Sequence, residues 1–433
     1  MTTGLRGGTR ADLVAVAGVV GLVVAAALVG RRLLADGVDI FLGWPPLLAV
    51  WLPHAGPGTP AAVAGAALVV LYGPGLADRS AWRPLLAAAY GASVAWTVSL
   101  ALVDGWQRGV AERLSSDQEY LHDVPRVGDV ATLLATFTDH ILTDQPVHWS
   151  THVGAHPPGA LLVYVGLDRI GLGSGGAAGV VTMLVGASAC VAVAVAVRAL
   201  GAEDVARRAL PFGVLLPGAV WVGVSADGLF AAVLAWGVAL LALASARRDA
   251  LAALGAGVVL GAALHLSYGL VLGGLVALAA VRDRVVLACA AGGVAVVFAA
   301  FSAAGFWWFT GLGLTRVIYA QSIAASRPYP YFVWADLAAV AFAVGPAVIA
   351  GIRRAIAAPA ALPRGALLLA AAALAALLAA DLTGLSKAEV ERIWLPFAVW
   401  LVIPCALLDR PRPWLAAQAL LALTVNHLLL TVW

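Results

Sequence analysis

Charged residues are scarce in this chain of 433 residues, since Asp, Glu, Lys and Arg together make up only 11%. An ordinary soluble domain carries about 25% charged residues, so the composition excludes that class. Hydrophobic residues reach 62%, which predicts a polytopic membrane protein built from helices. The net charge is only +3, and we expect the membrane, but no nucleic acid, as a partner.

Cysteine and lysine are also rare. Each of the three cysteines lies inside an apolar run and shows no disulfide or zinc pattern, as small buried hydrophobes do: Cys190, Cys289 and Cys405. Lys387 is the single lysine among 26 basic residues. Sequence repeats of fixed period and interdomain linkers are absent as well, so we expect one all-α transmembrane domain over residues 1–433.

Apolar segments long enough to cross a bilayer recur along the chain, and we count about 13 or 14 of them. A stretch interrupted by Pro45 and Pro46 is the weakest candidate and covers residues 38–53. The other predicted spans are residues 12–30, 60–77, 84–104, 176–198, 207–223, 228–246, 249–265, 266–281, 284–303, 331–352, 365–383, 393–408 and 413–432.

Arginines cluster in short loops between these spans, and such loops normally stay in the cytoplasm. This rule places residues 105–155, 225–227, 305–330 and 384–392 on the outer side of a plasma (inner) membrane. It holds only if residues 156–170, which carry Asp168 and Arg169, form a juxtamembrane helix and not a span. Near the N-terminus, basic residues at 6 and 10 compete with those at 31 and 32, so the orientation of the first span stays open.

Residues 105–175 are predicted to form an extracytoplasmic loop that carries juxtamembrane helices. Its first part holds eight acidic residues, counting Asp104, and five of the eight histidines of the chain. A long polar insert rich in titratable groups is typical of a functional region, with a solvated connecting loop as the alternative. Apolar spacing predicts an amphipathic helix over residues 128–142, and residues 306–323 form a second interfacial segment.

Two groups of residues in this loop suit acid–base or ligand chemistry. Residues 116–123 contain three carboxylates, Asp117, Glu119 and Asp123, which suit a general base or a divalent metal ion, or simply cap helices. Their spacing matches no strong metal signature, so the ligands of any metal stay unassigned. Residues 151–159 contain His152 and His156 before two prolines, which suits phosphate or metal binding, proton transfer, or only a turn.

Three further groups follow later in the chain on the same predicted side. Asp227 stands at a helix start, where it is a candidate site residue or simply a helix cap. Residues 386–397 place cations where the orientation rule disfavours them, which indicates an anionic ligand, with a solvated loop as the alternative. Their charged members are Lys387, Glu389, Glu391 and Arg392, and a weaker group consists of Arg316, Arg327, Tyr329 and Tyr331.

The order of these motifs resembles the GT-C superfamily of membrane glycosyltransferases, such as protein O-mannosyltransferases and aminoarabinose transferases. The resemblance rests on Asp117/Glu119-Tyr120, His156-Pro157-Pro158, Asp227 and the run from Glu391 to Pro396. The segment from Glu119 to Pro125 also looks like uncharacterised actinobacterial integral membrane proteins of this class. The resemblance implies an inverting transfer of a hexose or pentose, mannose- or arabinose-like, from a polyprenyl-phosphate donor to a lipid or glycan acceptor of the cell envelope.

The resemblance also implies roles for individual residues. Asp117 or Glu119 is then the catalytic base, and Gln118, which separates them, leaves the choice open. Asp227 is a second acid near the site. Cations hold the donor phosphate, and polar groups of the loops complete the substrate site: Lys387, Arg392, Arg327, Tyr120, His122, Asp123, His152, His156, Tyr329 and Glu391. Up to three apolar segments precede the loop, where the superfamily commonly has one.

A secondary transporter or a lipid-linked-sugar flippase is the alternative. A transporter is expected to carry charges near the bilayer midplane and inverted repeats. Within the predicted spans, Asp336 and Asp381 lie near ends, and no repeat is visible. These features favour the transferase.

Overall fold

The computed structural model describes residues 3–432, and helices dominate it. Three helices precede the polar stretch and four short ones lie within it: α1 (Thr3–Ala35), α2 (Thr59–Arg79), α3 (Trp82–Ala101), α4 (Tyr120–Asp123), α5 (Val130–Thr136), α6 (Thr151–Ala155) and α7 (Pro158–Arg169). Single turns of other helix types connect them: 3-10 turns at Leu102–Asp104, Val124–Arg126 and Phe137–His140, and a π turn at Gln107–Ala111.

The rest of the chain adds fifteen helices: α8 (Gly175–Ala187), α9 (Ala189–Ala199), α10 (Glu203–Val214), α11 (Ala219–Val222), α12 (Ala226–Arg247), α13 (Ala250–Leu264), α14 (Gly274–Ala279), α15 (Arg284–Ala303), α16 (Trp308–Gln321), α17 (Ile323–Ser326), α18 (Tyr329–Ala357), α19 (Arg364–Thr383), α20 (Val390–Ile393), α21 (Leu395–Ala398) and α22 (Pro411–Leu428). Further 3-10 segments are Tyr268–Gly273, Pro359–Ala361 and Val399–Leu407. Two strands, β1 (Ala49–Trp51) and β2 (Leu429–Thr431), pair antiparallel with Val50 opposite Leu430.

Eight helices of the described chain are long and apolar enough to cross a membrane, which confirms an all-α polytopic architecture. They are Gly8–Ala35, Thr59–Arg79, Trp82–Asp104, Gly175–Ala199, Ala226–Arg247, Arg284–Ala303, Tyr329–Ala357 and Arg364–Thr383.

The predicted 13 or 14 spans exceed this number because five of the predicted segments form shorter, broken or less apolar helical pieces. Pro211 lies inside α10 and Pro404 inside the 3-10 segment after α21, and proline removes a backbone donor and disrupts an α-helix. The other three pieces are α13, α22 and the 3-10 segment with α14. Residues 38–53 are not helical, since they carry β1, so that candidate span is wrong.

Arginine side chains tie the ends of several helices together at one end of the bundle, which we call the arginine end. Arg207 donates to the carbonyl oxygens of Ala77 and Ser80 at 2.9 Å, which joins α10 to the α2–α3 turn. Arg282 donates to the carbonyl oxygen of Leu200 at 3.2 Å. The predicted cytoplasmic loops therefore share one end.

The first span also starts at the arginine end. Asp12 of α1 is fully buried between Arg353 and Arg354 of α18, at 2.7 Å and 2.9 Å. An unpaired carboxylate is costly to bury, so these arginines hold the start of α1 beside the end of α18. This contact fixes the direction of α1 relative to the other helices, which the sequence had left open.

The opposite end, which we call the loop end, gathers residues 36–58, 105–170, 305–328 and 384–392. Helix α16 lies across it and touches two of these segments: Thr315 donates to the carbonyl oxygen of Gly154 at 3.3 Å, and Tyr319 donates to that of Gly384 at 3.1 Å. Helix α7 has 12 residues, whereas a span needs about 20, in keeping with a juxtamembrane role.

Cysteine labelling tests which side of the membrane each end faces. We expect Ser116→Cys and Leu385→Cys, both exposed at the loop end, to react with an impermeant maleimide in intact cells. Ala361→Cys, exposed near the arginine end, should react only after the cells are opened. The parent chain serves as the background, because Cys190 and Cys405 are buried and any reaction of the half-buried Cys289 is subtracted in this way. Reaction of only one of the two loop-end cysteines would contradict a shared outer side.

Candidate active site at the loop end

The acidic loop before α4 is fixed in place by Asp123, which is fully buried. One Asp123 oxygen accepts the backbone N–H of Ser150 at 2.8 Å, and the other pairs with Arg126 at 2.5 Å. The N–H of His152 also donates to the carbonyl oxygen of Gln118 at 3.0 Å. These bonds hold the start of α6 against the residues before α4, so Glu119 and His152 lie side by side.

A chain of polar contacts then runs from the loop into the helix bundle. Glu119 Oε1 lies 2.9 Å from His152 Nδ1, and His152 Nε2 lies 3.3 Å from Arg392 Nη2. Arg392 Nη1 donates to Asp227 Oδ2 at 2.6 Å. A neutral imidazole that donates from Nδ1 and accepts at Nε2 satisfies both of its neighbours. All four side chains are buried, with exposures of 5% to 8%.

A third carboxylate completes this cluster, which we call the site network: Glu119, His152, Asp227, Glu389 and Arg392. Glu389 Oε2 accepts from Arg392 Nη2 at 2.6 Å, and its Oε1 lies 3.6 Å from Arg327 Nη2. Burial alone raises the pKa of Glu389, but Arg392 and Arg327 outweigh it and hold this pKa below its ordinary value. Glu389 is therefore a carboxylate at neutral pH.

The backbone beside the site network adopts a conformation that side chains other than glycine rarely take. Ala388 and Glu389 both have left-handed φ angles, of 69° and 60°. Consecutive residues of this kind cost energy and persist only where surrounding contacts hold them. Here the N–H of Ala388 donates to the buried Asp336 at 3.1 Å, and Arg392 holds the Glu389 carboxylate. This turn places Glu389 between two arginines.

Aromatic rings and His156 form a wall next to Glu119. Tyr120 stacks on Tyr164 with ring centroids 5.1 Å apart, and its hydroxyl lies 3.1 Å from His156 Nδ1. His156 Nδ1 also contacts the carbonyl oxygen of His152 at 2.7 Å. Burial lowers the pKa of His156 to about 4, although Asp227 partly opposes this. His156 is therefore neutral at physiological pH.

Two cations lie together beside the site network. Arg327 Nη1 donates to the carbonyl oxygen of Lys387 at 2.7 Å, and Lys387 Nζ donates back to that of Arg327 at 2.8 Å. Burial, with the charge of Arg327, lowers the pKa of Lys387. Arg327 Nη2 is buried and makes no hydrogen bond to the described residues. It retains a donor that a bound anion can satisfy.

The structure leaves several predicted site residues outside the site network. Asp117 and His122 are exposed on the acidic loop, although Glu119 between them is buried. Tyr329 is 40% exposed and donates to the carbonyl oxygen of Leu382, and Arg316 is exposed on α16. Asp123 fixes the loop and is itself fully buried. Of the two predicted bases, only Glu119 reaches the histidine.

Two participants were not among the predicted site residues. Glu389 lies in the predicted 386–397 group, but its pairing with two arginines depends on a left-handed turn that no local pattern indicates. Tyr164 contributes a buried ring from α7, and its position in an apolar run gave no signal.

Glu391 is buried on α20 with 1% exposure, and its Oε2 has no hydrogen-bond partner among the described residues. Burial, aided by the negative charge of Glu389, raises the pKa of Glu391 from 4.5 to about 8. The carboxyl group is therefore protonated at neutral pH and does not serve as an anion there.

This raised pKa predicts a pH-dependent stability. The folded state keeps the Glu391 proton between pH 4.5 and 8, where the unfolded chain releases it, so stability falls as the pH rises through this window. The total loss is on the order of a few kcal/mol. Glu391→Gln, which stays neutral, should match the parent near pH 5 and melt at a higher temperature at pH 8.5. Equal parent-to-variant differences in melting temperature at both pH values would contradict this.

The carboxylates of the site network do not form a metal site. Within residues 3–432, no three His, Cys, Asp or Glu side chains are arranged to hold a metal ion. Asp227 and Glu389 are committed to Arg392, and Glu119 to His152.

Comparisons with known proteins give no match: no protein-family model, no curated protein and no solved structure is significantly similar to this chain. The function is therefore inferred from the geometry of the loop end.

Proposed function

We propose that this protein is an inverting glycosyltransferase that uses a polyprenyl-phosphate sugar and works at the extracytoplasmic face of the membrane. The acceptor is a lipid or a glycan. The observation that supports this most is the buried contact chain from Glu119 through His152 and Arg392 to Asp227. It joins four segments that are far apart in sequence, and it lies at the end of the bundle opposite the arginine loops.

Glu119 acts as the general base in this proposal. The carboxylate removes the proton from the acceptor hydroxyl, and the oxygen attacks the anomeric carbon from the face opposite the phosphate. The bond between that carbon and the phosphate oxygen breaks, and polyprenyl phosphate leaves with the electron pair. His152 Nδ1 lies 2.9 Å from Glu119 Oε1 and fixes the orientation of the carboxylate. A general base has to be preorganised in this way.

The leaving phosphate gains negative charge as the glycosidic bond breaks, so a fixed cation stabilises the transition state more than the ground state. Arg327 and Lys387 suit this role, because Arg327 Nη2 makes no hydrogen bond to the described residues and its nearest carboxylate oxygen, Glu389 Oε1, is 3.6 Å away. Arg392 is already held by Asp227 and Glu389, so we assign it to positioning of His152 and not to direct phosphate contact.

Turnover in sealed vesicles tests this function. The purified protein is reconstituted with short-chain polyprenyl-phosphate mannose and, separately, arabinose, together with a lipid acceptor extract. We expect release of polyprenyl phosphate and labelled product in equal amounts. The double variant Arg327→Ala, Lys387→Ala should bind polyprenyl phosphate itself more weakly, with Arg316→Ala as an exposed control cation from the same end.

The alternatives give distinct results in the same vesicles. A flippase or transporter would move the labelled donor across the bilayer without breaking the sugar–phosphate bond. Movement without cleavage for every sugar supplied would overturn the transferase proposal.

A further inference from the structure

A groove open to the lipid lies near the arginine end, away from the site network. It has a volume of about 620 Å³ and runs between α2, α3 and α10, with Arg412 of α22 at its side. Its walls are mostly aliphatic, with Leu68 and Leu76 on α2 and Leu85 on α3. A groove of this kind in a membrane protein faces hydrocarbon and is filled by a chain of matching shape.

The length of the groove matches one leaflet of a bilayer. Its wall on α2 extends from Leu68 to Arg79, which is about 16 Å at 1.5 Å per helical residue. Half of a hydrocarbon core of about 30 Å is about 15 Å. The groove therefore has the length of an acyl chain, with Arg79 at the level of the headgroups.

Two arginines line the groove, and none of the described residues that line it is acidic. Arg79 is exposed in the last turn of α2. Arg412 is exposed too, and its Nε donates to the carbonyl oxygen of Leu71 at 3.2 Å, which holds the guanidinium on the groove wall. The orientation rule places this end in the cytoplasmic leaflet, where anionic lipids concentrate.

We propose that this groove binds one anionic phospholipid of the cytoplasmic leaflet. An acyl chain lies along Leu68 to Leu76, and the phosphate lies at the Arg79 end of the groove, with Arg412, whose Nε is held at Leu71, further along the same wall. An anionic phospholipid interacts with both the apolar wall and the arginines of the groove, whereas a neutral lipid would interact only with the apolar wall. The site is separate from the site network, so it stands whether or not the protein transfers sugars.

Native mass spectrometry of the purified full chain in detergent, titrated with phosphatidylglycerol or phosphatidylcholine, tests the proposal. We expect one phosphatidylglycerol to bind on the order of tenfold more tightly than phosphatidylcholine. Arg79→Ala with Arg412→Ala should remove this preference. Arg364→Ala, an exposed arginine at the same end that does not line the groove, should keep it.

A second variant tests the apolar part without any change of charge. A Cβ atom at Gly75 would meet nothing within 4 Å, and Gly75 lines the groove, so the side chain of Gly75→Leu starts in open space and occupies the groove. We expect this variant to melt like the parent and to lose most of its bound phosphatidylglycerol. Parent-like binding in Gly75→Leu would overturn the groove as the site. The proposed selection for an anionic lipid would be overturned if the parent bound phosphatidylglycerol and phosphatidylcholine equally tightly. It would also be overturned if the preference for phosphatidylglycerol survived the loss of both arginines.

Discussion

Glu119→Gln should lower sugar-transfer turnover by roughly 10²–10⁴-fold, the usual effect of losing a general base. The amide keeps the shape of the side chain, and its oxygen still accepts from His152 Nδ1, 2.9 Å away in the parent. The variant should therefore reach the membrane in parent amounts and bind donor normally. Turnover of the labelled polyprenyl-phosphate sugar in vesicles is the measurement.

Asp117→Asn is the matched control for this loss. Asp117 carries the same charge two residues away, but it is exposed and lies outside the site network. We expect its turnover to stay within about threefold of the parent, as for surface substitutions away from a site. A large loss in Asp117→Asn together with normal turnover in Glu119→Gln would assign the base to Asp117. Parent-like turnover in both variants would remove this loop from the chemistry.

Much of the arrangement follows from the placement of charges along the chain. The arginine rule and the short length of residues 156–170 put Glu119, His152, Asp227 and Arg392 on one side of the membrane. The structure brings these four side chains into one contact chain, although they span 274 positions (392 minus 119, plus 1). Parity depends only on counting spans and basic loops, so it can be read from the sequence alone.

Pairing within the site did not follow from the sequence. Asp117 and Glu119 look equivalent by type and spacing, and burial of Asp123 against Ser150 decides which of them faces inward. Glu389 reaches Arg392 through two left-handed residues, which propensity does not favour. Arg392 looked like a phosphate ligand because it stands outside, yet two carboxylates already hold it.

The number of long continuous helices is smaller than the number of predicted spans for a related reason. Hydropathy reports how apolar a segment is, but not whether its backbone stays α-helical. Residues 393–408 are as apolar as the true long helices, but they contain prolines, and their α-helical pieces are short. Residues 207–223 contain prolines too, and they begin with two arginines. Such breaks are tolerated where neighbouring helices cover the exposed backbone groups.

Arg392→Gln should be the most destabilising single change at the loop end. It leaves Asp227, at 2.6 Å in the parent, without its buried cation, and it leaves Glu389 with Arg327 alone, 3.6 Å away. Removing one member of a buried ion pair typically costs about 3–5 kcal/mol. Arg392→Lys should recover only part of this, because a single ammonium group cannot fork between two carboxylates as a guanidinium does. Thermal unfolding in detergent measures the loss.

A double-mutant cycle separates this structural cost from the loss of function. Asp227→Asn removes the charge that Arg392→Gln leaves unpaired, so the double variant should be more stable than Arg392→Gln alone, by roughly 1–3 kcal/mol. Turnover should stay low in the double variant, because His152 has lost the Nη2 group that lies 3.3 Å from its Nε2 in the parent. Strictly additive effects on stability would mean that Asp227 and Arg392 do not interact. Recovered turnover alongside recovered stability would mean that Arg392 serves the fold alone and has no part in positioning the base.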